Sequence, residues 1–381
     1  MPARDRVPLP PGTTGGRPGA TSWETASAPT GAAGRASAGK AAAGKGSAEK
    51  GAVRKAAARR PGSAAVPAPT TDVLVVGPVP LIARVAGLLL VVAGLVGAVA
   101  AFPTYLVVGG TTVDRVTGPV DALVALVGPA ATVAVGVVLL RGRVPRLGLA
   151  FAAVTGAFAV GRLLIELYQG HGSTARPAVE VLAGERVLTS SVQTGTGWVL
   201  GVVALALVVL AGIVALVAWG RTVMEDGGAL DPLRPALAGS AVVLGVFAVL
   251  CLALPAADVP DRVVTDPATG LQTVVTEEGP QALLERPGLA LLGGLLLAGA
   301  LLLCAVTAPS LRPRLGAVGG LLGVTVFLLA AALTGWRDAV RGPDVDWTVP
   351  GAGLLVLGLA SAGLTVLAWR WRSRGGAPAP M

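Results

Sequence analysis

The chain has 381 residues, of which 53% are hydrophobic and only 13% charged, and it carries a formal net charge of +9. A soluble protein would carry roughly a quarter charged residues. The charge is concentrated in residues 1–78 and in short connecting segments, and the long apolar stretches between them hold almost none. This alternation excludes a single soluble globular domain and indicates a polytopic membrane protein.

The first segment, residues 1–78, is rich in Ala, Gly, Pro, Ser and Thr. Such a composition cannot bury enough apolar surface to offset the entropy of ordering, so we predict a disordered tail. All four lysines of the protein recur in it at five-residue intervals, and two arginines extend the basic run: Lys40, Lys45, Lys50, Lys55, Arg59 and Arg60.

Three roles are open for this basic run. The first is a solvated cytoplasmic tail. The second is binding to the anionic lipids of the inner leaflet, where each basic residue near the surface contributes about 1 kcal/mol of attraction. The third role is nonspecific binding to nucleic-acid phosphates. No aromatic residue lies among the lysines. We therefore rank the solvated tail first, contact with anionic membrane lipids second and nucleic acid last.

Eight stretches after the tail reach the roughly 20 apolar residues that a transmembrane helix needs. In lipid every backbone group must be hydrogen-bonded internally, so these segments are predicted to be helices despite their many Gly and Val residues. The first begins too late in the chain for a cleavable signal peptide. The predicted spans are 81–103, 120–140, 147–167, 198–219, 236–256, 288–308, 315–334 and 350–369.

The orientation follows from the arginines of the connecting segments. On the side of the tail these segments carry arginine and few acids, whereas on the other side arginine is diluted by acids. The positive-inside rule then predicts a cell (inner) membrane protein with both termini in the cytoplasm. Tryptophans at both ends of the predicted spans agree, because their rings prefer the headgroup level.

The two halves of the chain share short sequences at matching places. Pro145-Arg146-Leu147-Gly148 opens the third span and Pro313-Arg314-Leu315-Gly316 opens the seventh, while Ala218-Trp219 and Ala368-Trp369 end the fourth and eighth. We predict an all-α membrane protein of two tandem four-helix repeats in the same orientation. The predicted domains are the tail (1–78), a first half (79–221), a cytoplasmic linker (222–234), a second half (235–371) and a disordered C-terminal tail (372–381).

Three connections on the side away from the tail read as short strands around a turn. They are 106–113, which turns at Gly109-Gly110, 179–188, which turns at Gly184-Glu185, and 263–275. Alternating Val and Thr around Gly-containing turns is typical of β-hairpins. We predict small extracytoplasmic hairpins.

Charges inside a span are costly and often functional. Only Arg162 and Glu166 qualify, and their spacing of four puts them on one face of the third helix, where they can pair. The simpler interpretation is an interfacial ion pair, which we weigh ahead of the alternative, a polar site for a lipid headgroup or a coupling ion.

The sequence offers no catalytic motif. His171 is the only histidine, and Cys251 and Cys304 lie near opposite ends of their predicted spans. We find no phosphate-binding loop, dinucleotide fingerprint or zinc motif. We therefore predict a protein that is not an enzyme and needs no cofactor.

In its basic Ala/Lys/Pro tail, its Ala-Val-Gly-Leu spans and its arginine-only inner loops, the chain resembles uncharacterised multi-pass membrane proteins of actinobacteria. Each half also resembles the four-span family named for association with tryptophan biosynthesis operons, in the Trp369-Arg370 ending of the last span. That resemblance implies a four-helix membrane unit and no functional residue.

Two functions remain open. The first is a non-catalytic envelope scaffold or accessory subunit with a protein partner in the envelope. The alternative is a small-molecule or lipid transporter, or flippase, with its polar site near Arg162 and Glu166. Transporters usually break helices at matching places in both halves. Here Gly128-Pro129 interrupts the second span but Gly293-Gly294 of the sixth lacks proline, which favours the first function.

Overall fold

The computed structural model describes residues 75–171, 179–182, 185–188, 192–225, 230–259, 262–265, 272–275, 282, 288–341 and 345–371. The predictions of a disordered tail over 1–78, of its basic lipid-binding run and of a C-terminal tail over 372–381 lie outside the described residues, apart from 75–78.

Eight long helices dominate the described part of the chain, and each is long and apolar enough to cross a membrane. The prediction of eight spans is confirmed at this level. The helices are α1 (Leu81–Val99), α2 (Pro119–Leu140), α3 (Pro145–Gln169), α4 (Thr196–Trp219), α5 (Arg234–Ala253), α6 (Gly288–Thr307), α7 (Arg314–Arg341) and α8 (Val349–Arg370).

Two helix ends differ from the predicted spans by four residues or more. α1 ends at Val99 rather than at 103, because Pro103 has no N–H to continue the helical ladder. α7 continues to Arg341 rather than ending at 334. Its 28 residues span about 42 Å, so its last turns extend past a hydrocarbon core about 30 Å thick. This extension carries charged side chains of α7 toward the loops that precede α2.

Short strands occupy the connections between helices. They are β1 (Val75–Val76), β2 (Leu106–Val108), β3 (Thr111–Val113), β4 (Val179–Leu182), β5 (Glu185–Leu188), β6 (Val192–Thr194), β7 (Met224–Glu225), β8 (Ala257–Asp258), β9 (Arg262–Thr265), β10 (Gln272–Val275) and β11 (Asp346–Trp347). All pairings are antiparallel: β1 with β7, β4 with β5, β9 with β10, β8 with β11, and β2 with both β3 and β6.

The first four helices and the last four have the same neighbours. α1 packs on α2 and α4, and α3 packs on α4; likewise α5 packs on α6 and α8, and α7 packs on α8. The two sets meet where α3 contacts α6, α2 contacts α7, and α3 contacts α7. α3 and α7 are the most enclosed helices: 56% and 72% of the residues in their apolar 18-residue segments are buried. They therefore form the centre of the bundle.

Glycines allow the helix backbones to approach closely. A Cβ atom placed on Gly156 of α3 would lie 2.8 Å from the Cα atom of Gly212 in α4. Lipid tails are as apolar as the side chains, so the hydrophobic effect contributes little to helix association in a membrane. Close packing of this kind is instead a main source of it. The glycine pairs that face each other in this way are Gly87 and Gly136, Gly156 and Gly212, and Gly161 and Gly293.

The bundle has two ends. We call the end at which α1, α3, α5 and α7 begin the tail face, and the opposite end, which carries β2 and β3, the hairpin face. At the tail face the Arg146 guanidinium donates to the carbonyl oxygen of Thr222 and lies 4.4 Å from the Trp219 ring. At the matching place Arg314 donates to the carbonyl oxygen of Trp371 at 2.5 Å. Each arginine at the start of a central helix thus satisfies a carbonyl beyond the end of its neighbour.

We predict that Gly161→Ala destabilises the bundle. Its new Cβ would lie 2.6 Å from the carbonyl oxygen of Gly293, so α6 would have to move. Overpacking of this kind costs about 1–3 kcal/mol. The matched control is Gly299→Ala in α6, whose Cβ would meet nothing within 4 Å. In thermal unfolding of the detergent-solubilised protein, Gly161→Ala should melt at least about 2 °C lower. Equal melting of both variants would contradict the close approach.

Candidate functional site at the hairpin face

Glu166, near the end of α3, pairs with an arginine from a distant loop. Arg115, which lies between β3 and α2, places its Nη2 atom 2.5 Å from Glu166 Oε1. The two side chains are 28% and 12% exposed, so the pair is largely shielded from solvent. The Trp198 indole of α4 donates to the backbone carbonyl of Glu166 at 2.8 Å. The ion pair therefore lies where α3, α4 and the loop before α2 meet.

This geometry corrects the expected pairing of Glu166 with Arg162. The spacing of four allows that contact, but exposed pairs of this kind contribute only about 0.3–0.5 kcal/mol. Arg115 reaches the same carboxylate in a more enclosed setting. Its guanidinium carbon also lies 4.0 Å from the centroid of the Tyr105 ring, which adds a cation–π contact.

Tyr105 fixes the other side of this arrangement. Its hydroxyl donates to Gln169 Oε1 at 2.6 Å. Burial raises the pKa of the Tyr105 hydroxyl above its usual range, and the negative charge of Glu166 raises it further. The phenol therefore remains a neutral donor at physiological pH. It holds the loop after α1 against the end of α3.

A second ionic contact joins the two halves of the chain. Arg341, the last residue of α7, has its Nε atom 3.3 Å from Asp121 Oδ2 in the first turn of α2. It also donates to the carbonyl oxygen of Asp114 at 3.3 Å and to the Thr117 hydroxyl at 2.7 Å. Thr117 in turn donates to Asp121 through both its N–H and its hydroxyl. The end of α7 is thereby fastened to the loop before α2.

Arg337 and Asp338 complete the set of charges on α7. Arg337 is buried, and its Nη2 atom lies 2.7 Å from Asp338 Oδ1. Three ion pairs lie at this end of the bundle, and we call them together the charged cluster: Arg115 with Glu166, Arg341 with Asp121, and Arg337 with Asp338. In these pairs three arginines balance three carboxylates. A balanced set of paired charges can be shielded at the end of a bundle without leaving a net buried charge.

Arg162 lies beside this charged cluster but is not part of it. Its side chain is exposed, and among the described residues it makes no hydrogen bond or ion pair. It interacts electrostatically with Glu166, Arg115 and Tyr105. The guanidinium thus lies one turn from a carboxylate that another arginine already binds.

A smaller polar group lies deeper in the bundle. The hydroxyl of Thr325 in α7 is 2.9 Å from that of Ser361 and 3.1 Å from that of Thr365, both in α8. Ser361 also lines a cavity of about 10 Å³, otherwise enclosed by apolar side chains of α5 to α8. This is about the space of one water molecule. The hydroxyls contribute hydrogen bonds between helices, as such groups commonly do in membranes.

Candidate metal ligands do not cluster in the described part of the chain. There, no group of three or more His, Cys, Asp or Glu residues could hold a metal ion. Cys251 and Cys304 are both free thiols. His171 is exposed just after α3.

We predict that the Arg115–Glu166 pair stabilises the fold and that Arg162 does not. Arg115→Gln and Glu166→Gln should each cost about 2 kcal/mol, because each leaves a partly buried charge without its partner. Arg162→Gln, the matched control, should cost less than about 0.5 kcal/mol. The loss of unfolding free energy in the Arg115→Gln/Glu166→Gln double variant should be smaller than the sum of the losses in the two single variants. An Arg162 cost as large as that of Arg115 would contradict this assignment.

Comparison with protein-family models, with curated protein sequences and with solved structures finds no match to this chain. The resemblances seen in the sequence therefore stay predictions. The function is argued below from the geometry of the bundle.

Proposed function

We propose that this protein is a non-catalytic scaffold or accessory subunit of a cell envelope, built as a rigid multi-pass bundle. The observation that carries the proposal is the fastening of α7 to the start of α2, through Arg341 and Asp121. At the tail face Arg146 of α3 also donates to the carbonyl oxygen of Arg312, at 3.4 Å. Polar contacts at both ends therefore oppose relative motion of the two halves.

The centre of the bundle supports the same function. Gly319 of α7 lies against the backbone of Leu147 in α3, and a Cβ on Gly323 would lie 2.8 Å from Cγ1 of Val154. A scaffold presents a fixed surface to a partner. A transporter of two halves must instead let them rock around a site between them. Close packing along α3 and α7 leaves little freedom for such rocking.

We further propose that the chain consists of two tandem four-helix repeats. The recurring helix neighbours support this, and so do the strands: β2 follows the first helix of its half and pairs with β6 before the fourth, as β8 does with β11. In each half a backbone N–H before the fourth helix donates to a carbonyl after the first, from Gly195 to Tyr105 and from Thr348 to Ala256. These matching hydrogen bonds support the duplication in addition to the similarity of the apolar sequences.

In this proposal both termini are cytoplasmic, the tail face lies at the inner leaflet, and the strands of the hairpin face cap the bundle outside. The arginine distribution along the chain supports this orientation. The basic run from Lys40 to Arg60 would then lie near anionic inner-leaflet lipids. The hairpin face would contact a protein partner in the envelope.

The alternative function is a transporter or flippase of small molecules or lipids, with a polar site near Arg162 and Glu166. One observation favours it: the Arg162 guanidinium has no ion-pair partner among the described residues. Because Glu166 is held by Arg115, such a site would depend on Arg162 alone. The rigid scaffold remains the better supported of the two.

We predict that the centre of the bundle stays closed to water from both sides. Val154 of α3 and Val324 of α7 are each 6% exposed, and Val→Cys is a small change at either position. In a chain whose native cysteines are replaced by alanine, a membrane-impermeant maleimide should label neither Val154→Cys nor Val324→Cys from either side. Thr112→Cys, exposed in β3 at the hairpin face, serves as the accessible control. Labelling of the buried positions that alternates between sides would favour the transporter.

Cysteine labelling also tests the orientation. In the same cysteine-free chain, Thr269→Cys, in the segment between β9 and β10, should react from outside intact cells only, whereas Arg143→Cys, between α2 and α3, should react only after the cells are opened. Charge alone predicts this difference. The reverse pattern would invert the topology without affecting the helix packing.

A further inference from the structure

Among the described residues, the carboxylate one turn from Arg162 is already bound by a second arginine. Two guanidinium groups, Arg115 and Arg162, act on one carboxylate, Glu166, which lies 2.5 Å from Arg115. Tyr105, the other titratable group that acts on Arg162, is kept neutral by burial. A carboxylate already bound by one arginine compensates a second only in part. The described residues therefore leave part of the positive charge of Arg162 uncompensated.

The depth of Arg162 in the bundle determines what can reach it. It lies two turns, or about 10 Å, before the end of α3. A long arginine side chain can extend from this depth toward the headgroup region. Its exposed side chain faces outward from the bundle rather than into the enclosed centre. An anion can thus approach it from the lipid side or from the water at the hairpin face.

From this geometry we propose that Arg162 binds a phosphate group at the outward-facing surface near the hairpin end of α3. The planar guanidinium presents donors in a fixed fork that matches two oxygens of a phosphate. Two sources share this chemistry, the headgroup of an anionic phospholipid and free inorganic phosphate. The site goes beyond the proposed scaffold, which needs no ligand, and it does not depend on that function.

Glu166 gives the site a charge-dependent affinity. While ionised, it offsets part of the positive charge of Arg115 and Arg162. Glu166→Gln keeps the shape of the side chain and removes this charge, so it should strengthen phosphate binding. A purely structural role of the two residues would not produce opposite changes in binding for Arg162→Gln and Glu166→Gln.

The experiment is native mass spectrometry of the full chain in neutral detergent. Phosphatidylglycerol is titrated against phosphatidylcholine in one arm, and inorganic phosphate against chloride at equal ionic strength in the other. We expect Arg162→Gln to weaken binding of the phosphate-bearing probe about tenfold, the loss of roughly one charge-assisted hydrogen bond. Arg162→Lys should retain part of the binding, and Glu166→Gln should tighten it severalfold.

The control is Arg84→Gln, which removes an exposed arginine near the start of α1 at the tail face. It should leave the tightest binding event unchanged. Loss confined to the phosphatidylglycerol arm identifies a lipid, and loss confined to the phosphate arm identifies a free anion. Equal losses in Arg84→Gln and Arg162→Gln, or no loss in Arg162→Gln, would overturn the site. Melting curves of each variant exclude misfolding as the cause.

Discussion

Close backbone packing around α3 is the constraint on which the rest of the structure depends. This helix contacts α4, α6 and α7, and glycine faces its neighbours at Gly156 and Gly161. In hydrocarbon the hydrophobic effect contributes little to the association of helices, so the helices must associate through complementary shapes. When a helix packs against three others in this way, its polar side chains can extend in only a few directions. The positions of its charges near the hairpin face follow from that restriction.

Glu166 is the clearest consequence. On a solvated helix it would pair weakly with Arg162, one turn away. On the enclosed α3 its side chain is directed toward α4 and the loop that carries Arg115. Gly201 of α4 is the residue that leaves room there, since a Cβ at that position would lie 3.4 Å from both Glu166 Oε1 and Arg115 Nη1. Arg162 is left without a partner among the described residues, and an unpaired charge at this depth in a membrane is costly unless an anion reaches it.

The sequence predicts the helices better than it predicts the contacts between them. Uninterrupted apolar length is a local property, and it identified all eight long helices. The end of α7 was missed because Arg337 and Arg341 look like loop residues, although they continue the helix to reach the loop before α2. The Arg115–Glu166 pair joins residues 51 positions apart, and β2 pairs with β6 across an even longer stretch of the chain. Only packing brings such partners together, so no local pattern reveals them.

Under the proposed duplication, the two halves keep the same framework and differ in their polar groups. Arg162 and Glu166 of α3 match Ala330 and Thr334 of α7, where the Thr334 hydroxyl simply donates to the carbonyl oxygen of Ala330. Conversely, the buried hydroxyls of Thr325, Ser361 and Thr365 match alanines in the first half, at Ala157, Ala211 and Ala215. Helix packing accounts for what the halves share. It does not require a lone guanidinium in one half only. A duplicated bundle retains such a costly, unrepeated charge most readily when it binds something, which is why Arg162 is the first residue to examine.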